Sequence, residues 1–245
     1  MRHMRKKQKV IVSVVFVLLL VVGCVCYVQD YYRSDEIAQQ YLAESGSIKI
    51  EETENGLFLD GPGMENALIF YPGAKVEYTA YVPLLCQVAE NGMDVFLVKM
   101  PCNFALLGKN SADDILENYE YSYWFLGGHS LGGAMAAAYV AEHRDSLDGL
   151  ILLAAYPTKS LQAEGLSVLS LYGSEDGVLN MDKVEQGRKY MPTAYTEICI
   201  QGGNHAQFGN YGVQKKDGVA TITREEQQRQ AVTEISKMIK YNKKY

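Results

Sequence analysis

The sequence predicts an α/β fold in which a mostly parallel central sheet carries helices on both faces. An antiparallel hairpin opens it, and no large cap domain is expected. Three observations lead there. Short, almost wholly apolar runs alternate with segments of helical periodicity, the pattern of strands buried on both faces. A Gly128-His129-Ser130-Leu131-Gly132 pentapeptide sits between one such run and a helical segment. Only about a dozen residues separate Ala155 from Ser167, too few for an inserted domain.

The elements follow in order. Residues 30–47 are polar, with Ile37, Tyr41 and Leu42 at helical spacing, and read as a short stem closed by Gly46-Ser47. Residues 48–52 and 57–60 alternate around Asn55-Gly56, a hairpin signal. Gly61-Pro62-Gly63 is a turn. Residues 67–71 form a buried strand and 76–90 a helix ended by Asn91-Gly92. A strand at 94–99 precedes a helix at 111–119, with Ser111 as N-cap and Asp113 and Asp114 in its first turn. Strand 123–126 leads into the pentapeptide and the helix behind it. Strands at 150–155 and 167–172, a helix at 181–190 and a strand at 195–200 come next. The last helix, 225–241, shows Ala231, Ile235, Met238 and Ile239 as its apolar stripe, and Lys243-Lys244 reads as a frayed tail.

The N-terminus differs from the rest. Arg2, Arg5, Lys6, Lys7 and Lys9 precede an uncharged run of 19 residues, 10–28, close to the ~20 that span a bilayer core. The preferred reading is cytoplasmic basic residues followed by a retained signal anchor over 1–29, a stem over 30–47 and a domain over 48–245 outside the cytoplasm. A cleaved signal peptide lacks an A-x-A-like site. A lipoprotein signal is suggested by Val21-Val22-Gly23-Cys24, but apolar sequence continues beyond Cys24. Without the basic flank, 18 Lys and Arg face 29 Asp and Glu. So acidic a domain is repelled by nucleic acid and by anionic headgroups. Cys86, Cys102 and Cys199 are widely spaced and read as buried thiols. No metal site is indicated, since no Cys-x-x-Cys pair occurs.

The chemistry centres on Ser130. A serine on a tight strand-to-helix turn is a nucleophile elbow, where small neighbours are required for close approach. Its hydroxyl needs a base. Of four histidines, His3 lies before the apolar run, His129 adjoins the serine and is expected to point away, and His143 lies roughly 20 Å along the helix. His205 remains, in the loop after the last strand, which emerges at the same sheet edge as the elbow. Asp176, in the loop after strand 167–172, is the acid expected to orient it, with Glu175 as rival. The order Ser130, Asp176, His205 suits an elbow serine. Oxyanion donors are expected at Leu131 N–H and, in Tyr71-Pro72-Gly73-Ala74 where Pro72 has no N–H, at Ala74 or Gly73 N–H, with Ala74 preferred. Tyr71, and less strongly Tyr156, Phe208 and Tyr211, are candidates for an apolar acyl pocket.

From about residue 48 onward these motifs resemble the α/β-hydrolase superfamily, most of all its compact, lidless dienelactone-hydrolase-like branch. Gly128-His129-Ser130-Leu131-Gly132-Gly133 is a common form of the superfamily's elbow. Tyr71 to Ala74 stands where many members have His-Gly-Gly or His-Gly-x. The run Gly203-Asn204-His205-Ala206-Gln207-Phe208-Gly209-Asn210-Tyr211-Gly212 resembles the histidine loop of a set of membrane-anchored bacterial members. Two departures stand out: dienelactone hydrolases carry a nucleophilic cysteine where this chain has Ser130, and Pro72 replaces a histidine in the oxyanion loop.

The resemblance implies a serine hydrolase that cleaves an ester or related acyl bond of a small molecule without metal or organic cofactor. An acyltransferase or peptidase would employ the same residues. A non-catalytic binding module would be expected to have lost some of them.

Overall fold

The computed structural model describes residues 2–143 and 146–242, with side chains for 8–143 and 146–240. The Lys243-Lys244 tail lies outside them. Contacts divide the chain into two units, 1–31 and 32–245.

The first unit is helix α1, Arg2–Gln29. Its stretch Gln8–Gln29 has a mean hydropathy of 3.0, and none of the window that defines it is buried. A helix of this length and composition suits a membrane anchor and a signal sequence alike.

The second unit holds an eight-stranded sheet in the order β1-β2-β4-β3-β5-β6-β7-β8. Strands β1 (Lys49–Thr53) and β2 (Gly56–Asp60) pair antiparallel around a Glu54-Asn55 turn, one position before the expected Asn55-Gly56, and β2 pairs antiparallel with β4 (Asp94–Val98). From β4 the sheet is parallel through β3 (Asn66–Tyr71), β5 (Tyr123–His129), β6 (Gly149–Leu153), β7 (Ser167–Gly173) and β8 (Tyr195–Ile200).

Strand alternation builds two cores. Leu68 and Phe70 of β3 face one side, with Leu85 and Val88 of α3 (Val82–Glu90) and Ala231 and Ile235 of α7 (Arg224–Asn242). Ala67, Ile69 and Tyr71 face the other, with Ile115 of α4 (Ala112–Asn118) and Ala136 and Val140 of α5 (Leu131–Glu142). This is the expected helix-sheet-helix sandwich. Helix α6 (Met181–Gly187) follows β7. Among the described residues 156–166 there is no helix or strand, and no large cap covers the sheet edge.

The segment read as a stem packs on the second unit from Tyr32 onward. Helix α2 (Glu36–Ala43) buries Ala38 completely, and Asp35 caps it by accepting from Ala38 N–H at 3.0 Å. Tyr32 N–H donates to Lys75 O at 2.7 Å, and Glu77 N–H donates to Tyr32 O at 2.8 Å.

Several details depart from expectation. The helix expected over 76–90 begins as a 3-10 turn, Tyr78–Tyr81, and becomes α-helical only at Val82. Pro83 explains the break: without an N–H it belongs in a first turn. Ser111 makes no side-chain cap on α4. The Tyr71 hydroxyl accepts the Ala112 N–H instead, at 2.9 Å. The helix expected over 181–190 closes with a 3-10 turn at Arg188–Tyr190. Of the three domain cysteines only Cys86 is buried; Cys102 is exposed and Cys199 half-buried.

Candidate active site

The C-terminal edge of the parallel strands collects the candidate residues. β5 ends at His129 and α5 starts at Leu131, so Ser130 alone makes the turn. Its φ of 52° and ψ of −121° lie where non-glycine residues are strained, at a cost of about 1–3 kcal/mol. The surroundings hold it there. Ser130 N–H donates to Leu153 O at 2.9 Å, and Ala134 N–H donates to Ser130 O at 3.0 Å. A Cβ on Gly128 would lie 2.6 Å from the backbone of Gly132 and Gly133, and one on Gly133 would lie 2.6 Å from Ala155 Cβ. The glycines let strand and helix meet closely enough to present the serine.

His205 and Asp176 form the buried pair. His205 Nδ1 lies 2.8 Å from Asp176 Oδ2, and both side chains are almost wholly shielded from solvent. Asp176 Oδ1 accepts from Val178 N–H at 2.9 Å and Leu179 N–H at 2.7 Å. With its carboxylate held at both oxygens, Asp176 is placed to accept from His205 Nδ1–H and to orient the imidazole. His205 Nε2 is buried and has no hydrogen-bond partner among the described residues, Ser130 Oγ included. Such bonds commonly tighten only when substrate arrives. Glu175, the rival acid, instead accepts from the Ser174 hydroxyl at 2.9 Å and is exposed.

Ser130 and His205 line one cavity of about 240 Å³ with Leu131, Ala134, Ala155 and Tyr156. A larger cavity, about 930 Å³, opens at the opposite ends of the strands beside Tyr123, Ser167 and Met191. The smaller cavity, and not this one, brings a serine and a histidine together.

Of the two expected oxyanion donors, Leu131 lines the cavity beside Ser130 and Ala74 does not. Leu131 N–H is the first of α5, and first-turn N–H groups lack an intrahelical acceptor. In the loop after β3, Gly73 N–H is committed to the Tyr81 hydroxyl at 3.0 Å and Lys75 N–H to Asn103 O at 2.7 Å. Between them, Ala74 N–H has no hydrogen-bond acceptor among the described residues. The two sides press together: a Cβ on Gly132 would lie 2.1 Å from Tyr71 O and 2.3 Å from Pro72 O.

Tyr71 requires a correction. It is fully buried, its hydroxyl donates to Lys109 O at 2.8 Å while capping α4, and it does not line the cavity. The alternation of β3 turns it into the core under α5. Phe208 and Tyr211 are likewise buried, and only Tyr156 among the aromatic candidates faces the cavity.

Two residues escaped the sequence reading. His129 does not diverge from the site; its ring centroid lies 4.5 Å from that of His205. Burial, reinforced by the neighbouring His205, pushes its pKa well below the usual histidine range, so it is neutral. Asp217 ties the two loops together. Its Oδ1 accepts from Gly177 N–H at 3.1 Å, His205 N–H at 3.2 Å and Gly218 N–H at 2.9 Å, and its Oδ2 from Ala206 N–H at 2.8 Å. The Asp217-Gly218 pair after two lysines resembles any polar turn; its proximity to the histidine loop is the only sequence clue. His143 closes α5 and stacks on Tyr139 at 4.2 Å, away from these groups. Among the described residues no group of three or more His, Cys, Asp or Glu side chains is placed to hold a metal ion.

The alpha/beta hydrolase family model matches residues 67–229, which include all of these groups. No curated protein matches the sequence. Solved structures similar in fold include a dienelactone hydrolase from Anabaena variabilis, 13% identical, covering 80% of this chain and 99% of that one with a TM-score of 0.56. Carboxyl esterase 2 of the mycorrhizal fungus Tuber melanosporum is 10% identical, covering 83% and 90% with a TM-score of 0.57. Mouse alpha/beta hydrolase domain-containing protein 10 is 13% identical, covering 80% and 99% with a TM-score of 0.54. At such identities the likeness is one of fold, and the family model carries the assignment. With a match over most of its length, an elbow serine and an eight-stranded sheet of this order, the chain belongs to the α/β hydrolase family.

Proposed function

We propose that the chain is a serine hydrolase cleaving carboxylic esters or related acyl bonds through an acyl-enzyme. Ser130 Oγ attacks the acyl carbonyl while His205 Nε2 takes its proton. Asp176 holds the imidazolium that forms. Leu131 and Ala74 N–H groups stabilise the oxyanion. As the tetrahedral species collapses, the leaving alcohol takes the proton back from His205. Water, activated by the same nitrogen, then releases the acid and frees Ser130. The observation that carries this reading is the strained Ser130 in one cavity with a histidine whose Nδ1 is anchored to Asp176 and whose Nε2 is unengaged.

The small cavity and its alanine lining favour short acyl groups, since drug-sized sites run to roughly 300–1,000 Å³. The esterase and dienelactone hydrolase among the similar folds fit acyl chemistry. The apolar helix with five basic residues before it favours a single-pass anchor that leaves the hydrolase unit outside the cytoplasm.

A fluorophosphonate probe tests the nucleophile. The protein is expected to label stoichiometrically, and Ser130→Ala not at all; equal labelling of both would overturn the assignment.

A further inference from the structure

Tyr81 is fully buried, and none of the proposed chemical steps uses its hydroxyl. That hydroxyl accepts from Gly73 N–H at 3.0 Å and lies 2.8 Å from His129 Nδ1. A phenol has one proton to give. The oxygen can also accept a second bond, so the tautomer of His129 sets the direction; we assign the hydroxyl as donor to Nδ1, with the proton of neutral His129 on Nε2, toward the His205 backbone. The fit around Gly73 is tight: a Cβ there would lie 2.9 Å from both Tyr81 Oη and His129 Nδ1. The tyrosine ring also reaches the histidine loop, since a Cβ on Gly209 would lie 3.2 Å from Tyr81 Cε1. Beside it, Asn210 N–H donates to Ala80 O at 2.7 Å. One side chain therefore touches the loop holding Ala74, the elbow residue before Ser130 and the loop holding His205.

We infer that Tyr81 is a positioning residue: its hydroxyl bridges Gly73 N–H and His129 Nδ1, and so fixes the loop carrying Ala74 N–H against the elbow. His129 is the acceptor that aims the hydroxyl, and its ring is a packing surface for His205. The bridge matters most in the transition state, when charge builds on the oxygen that Ala74 faces in the proposed mechanism. A side chain that merely filled the core would change stability without separating kcat from KM. The inference rests on the Ser130–His205–Asp176 reading of the site.

The test uses the full chain and a short-chain nitrophenyl ester. Tyr81→Phe keeps the ring and removes the bridge. It is expected to lower kcat about ten- to a hundred-fold, less than the ~10²–10³ seen when an oxyanion donor is removed outright, with KM within about two-fold. The inhibition constant of phenylboronic acid, whose adduct mimics the tetrahedral species, should rise by the same factor as kcat falls. His129→Leu should behave like Tyr81→Phe. His129→Asn, whose Oδ1 can replace Nδ1 as acceptor, should recover most of kcat. Unchanged kcat and boronate affinity in Tyr81→Phe would overturn the inference. Should that variant fail to fold, equal activity of the Leu and Asn variants at 129 would overturn it as well. Ser130→Ala runs in parallel: if it still hydrolyses the ester, the underlying reading of the site fails, whatever Tyr81 does.

Discussion

Asp217 offers a sharp test of how the site is held together, because its carboxylate ties the loop after β7 to the loop after β8. Asp217→Ala removes acceptors from four N–H groups. Gly177 is exposed and Gly218 half-exposed, so both can turn to water. His205 and Ala206 are buried, 1% and 4% exposed, and their donors cannot. Each orphaned buried donor costs about 1–3 kcal/mol, so the substitution should destabilise by roughly 2–6 kcal/mol. At about 2–4 °C per kcal/mol for a domain of this size, the melting temperature should fall on the order of 5–20 °C. Asp217→Asn retains one oxygen and should fall between. Below its melting temperature, Asp217→Ala should also lose kcat, because the His205 backbone is then free to drift, and a misplacement near 1 Å can cost ~10²-fold. Calorimetry and ester hydrolysis measure both. A melting point within about 2 °C of the parent, with kcat unchanged, would refute the reasoning.

Two further outcomes follow from the same contacts. Gly132→Ala places a Cβ 2.1 Å from Tyr71 O, against an ordinary contact of 3.4 Å, so α5 and the oxyanion loop must separate by roughly 1 Å. It should fold with a lowered melting temperature and lose about 10²-fold in kcat; parental kinetics would show that the loop contact is unimportant. Glu197 is held at about 2, first by the Arg188 guanidinium, which donates to it at 2.6 and 2.9 Å. A depressed carboxyl stabilises the fold above its ordinary value of 4.5 and loses that effect as pH falls through about 2. The stability gap between parent and Arg188→Met, measured by urea unfolding, should therefore be full near neutral pH and shrink below about pH 4.5. A gap constant down to pH 2 would contradict it.

Much of the molecule was legible in its sequence, for local reasons. A strand such as β3, buried at every position, cannot hide among polar neighbours. Gly128 and Gly133 are legible because strand-helix contact excludes a Cβ there. His205 emerged because few histidines exist and only one follows a strand. What stayed hidden depends on contacts across long stretches of chain. Tyr81 meets His129 from 48 positions away. Asp217 meets Gly177 from 40 away, and nothing local distinguishes it from a solvated turn residue. Tyr71 misled because an aromatic at a strand end looks available to a pocket, whereas the pleat points it inward. The segment from Tyr32 onward looked like a polar spacer, because a short helix with one buried alanine leaves little apolar signature.

The most direct measurement is to trap the acyl-enzyme itself. The protein is mixed with excess 4-nitrophenyl acetate, quenched in acid within the first turnover and mapped by peptide mass spectrometry. The account predicts one acetyl group per chain, on Ser130, with accumulation lost in His205→Ala. Acetyl on another residue, or steady turnover by Ser130→Ala, would contradict it.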